Sequence, residues 1–413
     1  MIRWVTVCCV VVMGSMVGWD RANAQGAVAG RPAVRGGISD KPYLKNFDGG
    51  IAIGGYMDHE FFLREEANTF TSHRFIPFIF AQPVDYIHVA CELEFEYGGF
   101  VRSGSASGQD SDGDGQIDRI TNSGSDGEIK LEFAFMDWLI SDAVNFRGGL
   151  LLTPLGKFNL THDSPLNDLT NRPIVARQLI PSTLFESGAG FFGAFYPQDW
   201  VVGYELYLVN GFNEKIIDGS SRVRVRGGRG SAKADNNENK ALVGRLSASP
   251  MLGVDAGLSV HTGKYDNAGE NTLTIAALDL DFQRGPFQLL GEGAIVSADT
   301  DHSESSLAAD AQHTIRGESQ AGFYAQGNYH FGFGLVRRYP ESVFTGVVRA
   351  EWVDYDRDVN GDDEQALTFG LNFRPVESTV VKIDHSWGWT RGAGAETWST
   401  PNKLFSASLA TYF

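Results

Sequence analysis

The chain has 413 residues, with 34 basic against 51 acidic side chains and a formal net charge of −17, a balance that disfavours nucleic acid and anionic membrane surfaces as partners. Forty-nine glycines beside 12% aromatic residues are unusual for a soluble enzyme; they suit many turns, with Tyr, Trp and Phe gathered at membrane interfaces. Beyond the N-terminus no apolar run reaches the roughly eighteen residues a spanning helix needs, which excludes a helical membrane protein.

Residues 1–24, MIRWVTVCCVVVMGSMVGWDRANA, combine Arg3, an apolar run from Val5 to Trp19 and the Ala22-Asn23-Ala24 cleavage pattern of a secretory signal peptide. Its removal takes Arg3, Arg21 and Asp20 with it and leaves a slightly more acidic chain. Cys91 is then the one remaining cysteine, so no intrachain disulfide is expected. Residues 25–48 lack periodicity and read as a short, mobile N-terminal periplasmic arm.

From residue 49 to the last residue, short alternating segments follow one another. Strands are expected near 49–61, 72–81, 85–98, 127–139, 144–152, 188–196, 201–209, 240–248, 252–261, 271–283, 286–297, 317–331, 342–355, 365–374, 378–389 and 403–413, about sixteen in all. Tight turns at 82–84, 141–143, 197–199, 249–251, 284–285 and 375–377 alternate with long polar connections near 99–126, 153–187, 210–239, 262–270, 298–316, 356–364 and 390–402. A transmembrane antiparallel up-and-down β-barrel has this asymmetry, with short periplasmic turns and long external loops. The expected fold is therefore all-β, a barrel filling residues 49–413.

Face parity agrees with that architecture. Leu367, Phe369, Leu371 and Phe373 oppose Thr368, Asn372 and Arg374, while Ile87, Val89, Leu93 and Phe95 oppose His88, Glu92, Glu94 and Glu96. Ile129, Leu131, Phe133 and Phe135 are likewise assigned to the lipid face, against Glu128, Lys130 and Glu132. The chain ends LFSASLATYF, with Phe405, Ala407, Leu409 and Phe413 on one face; it resembles the C-terminal strand by which the barrel assembly machinery recognises outer-membrane proteins.

The insert TPLGKFNLTHDSPLNDLTNRPIVARQLIPSTLFES, Thr153 to Ser187, is too long and too apolar for a plain connection. Leu155, Phe158, Leu160, Ile174, Val175, Leu179 and Ile180 argue that it packs. It is read as a constriction-type loop folded into the mouth or lumen, with a lid over the outer rim as the alternative. Candidate pore-lining bases are Arg147, Lys157, Arg172, Arg177, Arg245, Arg349, Arg374 and Lys382, of which the first four are expected to converge on the insert. Candidate acids on the same wall are Asp58, Glu60, Glu92, Glu94, Glu132, Glu205, Asp255, Glu292, Glu351 and Asp384.

The runs NFRGGLLLTPLGKFNL and NRPIVARQLIPSTLFESGAGFFG, within residues 127–210, are similar to the phosphate-selective porin O and P family of Gram-negative outer-membrane porins. The shared features are an Arg-Gly pair at a strand end, a Pro-x-Gly corner, an Arg-bearing stretch, a Pro and a Gly-rich strand. The resemblance implies a homotrimer and anion passage along a ladder of Lys and Arg. The acids sharing the wall neutralise much of such a ladder, so the function expected is passive diffusion of small polar solutes or ions, with at most a weak anion preference.

Two further motifs bear on partners. Asp110, Asp112, Asp114 and Asp118, around Gly113 and Gly115, have the alternating oxygen ligands of a calcium loop, although Thr121 stands where a bidentate Glu would be; a solvated acidic loop is the alternative. The run Asp356 to Glu364 is a poorer version. Arg222, Arg224, Arg226 and Arg229 form a basic patch able to draw anions or lipopolysaccharide phosphates. No cofactor is otherwise required. His162, Asp163 and Ser164 are neighbours, but adjacency does not make a catalytic triad and no G-x-S-x-G occurs, so no enzyme is expected. The competing readings are a structural or adhesive surface barrel with calcium-binding loops and, more remotely, a barrel hydrolase.

Overall fold

A computed structural model describes residues 38–44, 47, 49–63, 68–98, 107–109, 119–121, 128–230, 232, 234–300 and 316–413. The signal-peptide segment and residues 25–37 of the arm therefore lie outside the described residues, as do 110–118 of the expected calcium loop.

Sixteen of the eighteen described strands close into an antiparallel barrel. They are β1 (Gly50–Leu63), β2 (Asn68–Val84), β3 (Ile87–Glu96), β6 (Glu128–Leu139), β7 (Asn145–Leu152), β8 (Phe185–Phe195), β9 (Val201–Val209), β10 (Ala241–Met251), β11 (Val254–Lys264), β12 (Thr272–Arg284), β13 (Phe287–Ala298), β14 (Ser319–Phe331), β15 (Val343–Asp354), β16 (Asp363–Val376), β17 (Thr379–Arg391) and β18 (Asn402–Tyr412). The pair β4 (Ser107–Gln109) and β5 (Arg119–Thr121) forms a small hairpin in the long β3–β6 connection. Each barrel strand pairs with its sequence neighbour, and β1 closes on β18 from Tyr56↔Tyr412 to Leu63↔Phe405. Closure leaves no open edge, the condition for a sheet in hydrocarbon. Phe413 completes the seam: its N–H donates to Gly55 O at 3.0 Å, and its ring stacks on Phe75.

The turn pattern holds. β2–β3, β10–β11, β12–β13 and β16–β17 are joined by two residues each; the long connections lie at the opposite end, except residues 332–342 between β14 and β15, which lie with the short turns. The β1–β2 connection is shorter than expected, since β2 begins at Asn68 rather than near residue 72. That strand also runs through Pro77, which lacks a ladder donor; the β2–β3 pairing passes from Phe75↔Phe95 to Phe78↔Glu92 without using it.

Outward positions carry Ile53, Leu208, Leu258, Leu278, Ile295 and Leu371, all exposed, as a lipid-facing band requires. Trp138, Tyr196, Trp200 and Tyr329 are exposed near the short-turn end, an aromatic girdle. Inward positions alternate with these and are polar: Glu92, Asp279, Glu292, Arg349, Lys382 and Asp384 are buried.

One face assignment is overturned. Glu92↔Phe133 is followed by Leu93↔Leu131, so Glu132 is an extra residue, a β-bulge in β6. Beyond it the parity flips: Ile129 and Leu131 remain outside, whereas Phe133 and Phe135 turn into the lumen and are buried with Glu132 and Asp137. The arm is also corrected where it is described. Leu44 and Lys41 are buried, Tyr43 packs on Phe78 at 5.3 Å between ring centroids, and Phe47 packs on Phe80 at 5.1 Å. Aromatic side chains released inward by the bulge line this same apolar patch, which gives the arm a place to bind.

Candidate functional site: the loop-filled lumen

Between β7 and β8 the chain leaves the wall and returns across a narrow neck, with Thr153 N donating to Leu184 O at 3.0 Å. Asn159, fully buried, fastens that neck from inside. Its side-chain nitrogen donates to Thr153 O (2.8 Å) and Leu184 O (3.0 Å), and its Oδ1 accepts from Leu184 N at 2.9 Å. Two helical turns, α1 (Lys157–Leu160) and α2 (Ile174–Gln178), give the insert internal structure. Their apolar residues Leu155, Phe158, Ile174, Val175, Leu179 and Ile180 are buried against wall residues such as Ile275, Val296, Tyr324 and Val353. The insert thus lies within the lumen rather than over the rim.

Polar anchors hold it on most of the circumference. Gly156 N donates to Ser259 Oγ on β11 (2.8 Å), Phe158 N to Glu292 on β13 (2.9 Å), and Ile174 N to Glu351 on β15 (2.7 Å). Asp384 on β17 accepts from Thr170 N (3.0 Å) and Thr170 Oγ1 (2.6 Å). Asp168 accepts from Arg374 (3.0 Å), Asn372 (3.1 Å) and Asn328 (2.7 Å), while Lys382 Nζ donates to Ser164 O at 2.8 Å. Each supplies a partner for a loop backbone or carboxylate group that would otherwise be buried unpaired.

Most candidate wall bases are spent on acids. Arg147 pairs with Asp137 through two bonds of 2.7 and 3.0 Å and lies over the Phe135 and Phe192 rings. Lys157 reaches Asp281 at 3.1 Å and Arg245 holds Asp279 through bonds of 2.6 and 2.8 Å. Arg349 pairs with Glu351 at 3.1 Å, and Glu94 takes Arg74 at 2.9 Å and Lys130 at 2.5 Å. Glu92 and Glu132, both buried, face His162. Glu205 lies 3.8 Å from Arg147 and Asp255 4.0 Å from Lys157; Asp58 and Glu60 both face His73, at 3.5 and 2.9 Å.

Arg147, Lys157, Arg172 and Arg177 do not converge. Two cavities of about 530 and 510 Å³ share Asn167 and Leu169 of the insert as lining residues. The first opens toward the long-loop end and is lined by Arg172, Arg177, Arg226, Arg74, His73 and Glu60. The second faces the short turns and is lined by Lys157, Asp281, Arg349 and Arg374. Arg147 lies close to the β6–β7 turn, opposite Asp137. Among the described residues, Arg172, Arg177, Arg226 and Arg229 have no carboxylate ion pair within 4 Å, and Arg172 Nη2 and Arg177 Nε have no hydrogen-bond partner. Burial, and then the Arg74 charge, lowers the pKa of Arg172 from its usual value; burial followed by Arg229 and Arg177 does the same for Arg226.

The basic patch of residues 222–229 splits accordingly. Arg222 pairs with Asp362 and Arg224 with Asp218 at 3.7 Å. Arg226 and Arg229 turn inward and donate to Ser182 O (3.1 Å) and Thr183 O (3.3 Å) of the insert. In the run 356–364, Asp362 and Asp363 are taken by Arg222 and Arg391, which uses up carboxylates a calcium ion would need. His162, Asp163 and Ser164 do not line up as a hydrogen-bonded relay: Asp163 is held by Lys41 and by Tyr412 Oη (2.7 Å), and His162 Nδ1 lies 2.7 Å from Asn159 O. Lys41 and Asp168 are not legible as site residues in the sequence, because each acts on a partner more than a hundred positions away, and Asn159 is not legible because its role depends on how the neck closes. In the sequence His162 stands out only beside Asp163 and Ser164.

A closed sixteen-stranded antiparallel barrel with an apolar outer band, an aromatic girdle and an ion-paired polar lumen defines a transmembrane barrel of the bacterial outer membrane. Its fold is that of the outer-membrane porins. The channel DcaP of Acinetobacter baumannii is similar at a TM-score of 0.51 and 10% identity over 88% of this chain and 98% of that one. A loop L8 deletion mutant of OmpT of Vibrio cholerae gives 0.51 at 9% identity, covering 89% and 100%. The anion-selective porin of Comamonas acidovorans gives 0.50 at 11% identity, covering 88% and 99%. In sequence, the chain is 24% identical over 360 residues to an uncharacterized protein of Aquifex aeolicus (strain VF5), covering 81% of this chain and 75% of that protein. No family model matches, so the likeness to the phosphate-selective porins rests on the residues between 127 and 210 alone.

Proposed function

We propose that the protein is a diffusion channel of the outer membrane, a porin whose constriction is the insert between β7 and β8. The observation that carries this reading is the pair of cavities, about 530 and 510 Å³, that share Asn167 and Leu169 of the insert as lining residues. A solute entering from the long-loop side meets the unpaired arginines Arg172, Arg177 and Arg226 before the insert and a largely neutralised wall after it. Small polar solutes and ions would pass down their gradients without a cofactor, and anions would gain a modest advantage from the summed field at the entrance. A homotrimer, implied by the likeness to the phosphate-selective porins, belongs to the same proposal. So does recognition of the C-terminal strand by the barrel assembly machinery.

The test is single-channel conductance in planar bilayers. Wild-type protein should give steady steps, and deletion of residues 156–180 should enlarge them while the barrel stays folded and heat-modifiable. A silent wild type would replace the channel by a structural surface barrel; an unchanged step size in the folded deletion would remove the insert as the constriction.

A further inference from the structure

Where the insert passes the β6 bulge, three side chains from separate segments meet. Glu92 projects from β3, Glu132 from the bulge itself and His162 from the insert, and one ligand atom from each lies within 4.8 Å of the other two. All three are at most 2% exposed. Glu92 Oε1, both oxygens of Glu132 and His162 Nε2 have no hydrogen-bond partner.

The histidine explains why this arrangement calls for a cation. Its Nδ1 lies 2.7 Å from Asn159 O, and a carbonyl can only accept, so Nδ1 carries the hydrogen. In a neutral ring Nε2 is then a lone pair, and it faces Glu132 Oε1 at 2.8 Å without hydrogen-bond geometry. Two acceptors at that distance need a proton or a metal ion between them. Fixing of one imidazole nitrogen by a backbone carbonyl is also the usual outer-shell support of a metal-bound histidine.

Charge points the same way. Glu92, Glu132 and Asp163 lie together, and Lys41 is the cation in contact with them, paired to Asp163 and 3.8 Å from Glu92. Arg172 and Lys130 act on Glu132 from further off. A bulge that re-aims one side chain is a recurrent device beside functional sites; here it swings Glu132 inward to complete the set.

We propose that Glu92, Glu132 and His162 form a binding site for a divalent transition-metal ion of the zinc class, pinning the insert to the β3–β6 wall. One imidazole and two carboxylates suit zinc better than calcium or magnesium, which favour all-oxygen shells. Tetrahedral ligands at about 2.0–2.2 Å stand roughly 3.4 Å apart, so the His162–Glu132 pair at 2.8 Å opens and the wider spacings, up to 4.8 Å, close on binding. Asp163 Oδ1, 3.9 Å from Nε2, or a water takes the fourth position. The site does not depend on what the channel carries.

Full-length protein folded in detergent and stripped with a chelator is titrated calorimetrically with zinc, calcium and magnesium chloride. Cobalt is added separately to read the d–d absorption of a low-coordinate nitrogen–oxygen site. One zinc per chain at micromolar concentration is expected. His162→Gln, Glu132→Gln and Glu92→Gln should each weaken it at least tenfold while heat-modifiability shows the barrel still folded. The cobalt spectrum needs no variant, so a variant that fails to fold leaves the test standing. Wild type that binds no zinc and shows no cobalt band would overturn the proposal in favour of an imidazolium–carboxylate pair. Zinc binding unchanged in all three variants would place the ion elsewhere and overturn it equally.

Discussion

Asn159 and Leu184 exchange two hydrogen bonds across the base of the insert, at 3.0 Å from the Asn159 amide to the Leu184 carbonyl and 2.9 Å in the reverse direction. This is the backbone-like pairing that ends strand β7 and starts β8 after an excursion of some thirty residues. Asn159→Leu keeps the volume and removes these side-chain bonds, leaving the Leu184 N–H unpaired in a buried place, while Leu184 O keeps Thr153 N and Thr153 O keeps Leu155 N. The cost is about 1–3 kcal/mol for that group. The expected result is a folded barrel whose insert is cut by trypsin at Arg177 faster than in wild type. Equal protection would show that the wall anchors suffice without the neck.

Ion selectivity should come from Arg172, Arg177 and Arg226, which have no carboxylate within 4 Å among the described residues. Arg172→Gln, Arg177→Gln and Arg226→Gln combined should move the reversal potential under a potassium chloride gradient toward cations. The difference should be largest in dilute salt, where the Debye length is about 30 Å at 0.01 M, and small at 1 M, where it is about 3 Å. Wild type should show only weak selectivity and no tight phosphate block, because Arg147, Lys157, Arg245, Arg349 and Arg374 are each paired with an acid. Anion preference that persists at high salt, together with block by micromolar phosphate, would mean those pairs open in the working channel.

The inward turn of Phe133 has a measurable consequence. Phe133→Ala empties a packed site shared with Phe78 and Phe135 and should destabilise the barrel by about 3–5 kcal/mol. Ile129→Ala, two positions before the bulge step and on the lipid face, removes a half-exposed side chain and should cost clearly less. Urea unfolding in lipid vesicles measures both. Equal costs would contradict the change of face at Glu132.

The acidic run around Gly113 and Gly115 is expected to bind calcium, and Asp112→Ala with Asp114→Ala should abolish the effect. Calorimetry on the refolded protein reads it directly. No heat at millimolar calcium would leave the run as a solvated loop. Because zinc and calcium are assigned to different residues, the paired Asp variant should leave zinc binding untouched.

Period-two alternation and the exchange of short turns for long connections, broken at 332–342, determined the closed barrel, its sixteen strands and, apart from β6 beyond its bulge, its orientation of faces. Both are local: each strand records which side meets lipid, and each turn records which rim it lies on. The apolar residues of the insert also announced that it packs. What it packs against was decided by tertiary structure alone, since Asp168–Arg374, Thr170–Asp384 and Lys41–Asp163 join residues more than a hundred positions apart. The same holds for which arginines stay unpaired, a matter of where each acid lands on the closed wall. The bulge at Glu132 was hidden for a different reason. Inserting one residue in a ladder changes no residue type, yet it reverses every face beyond it, and here it turns Phe133 and Phe135 inward and brings Glu132 to His162.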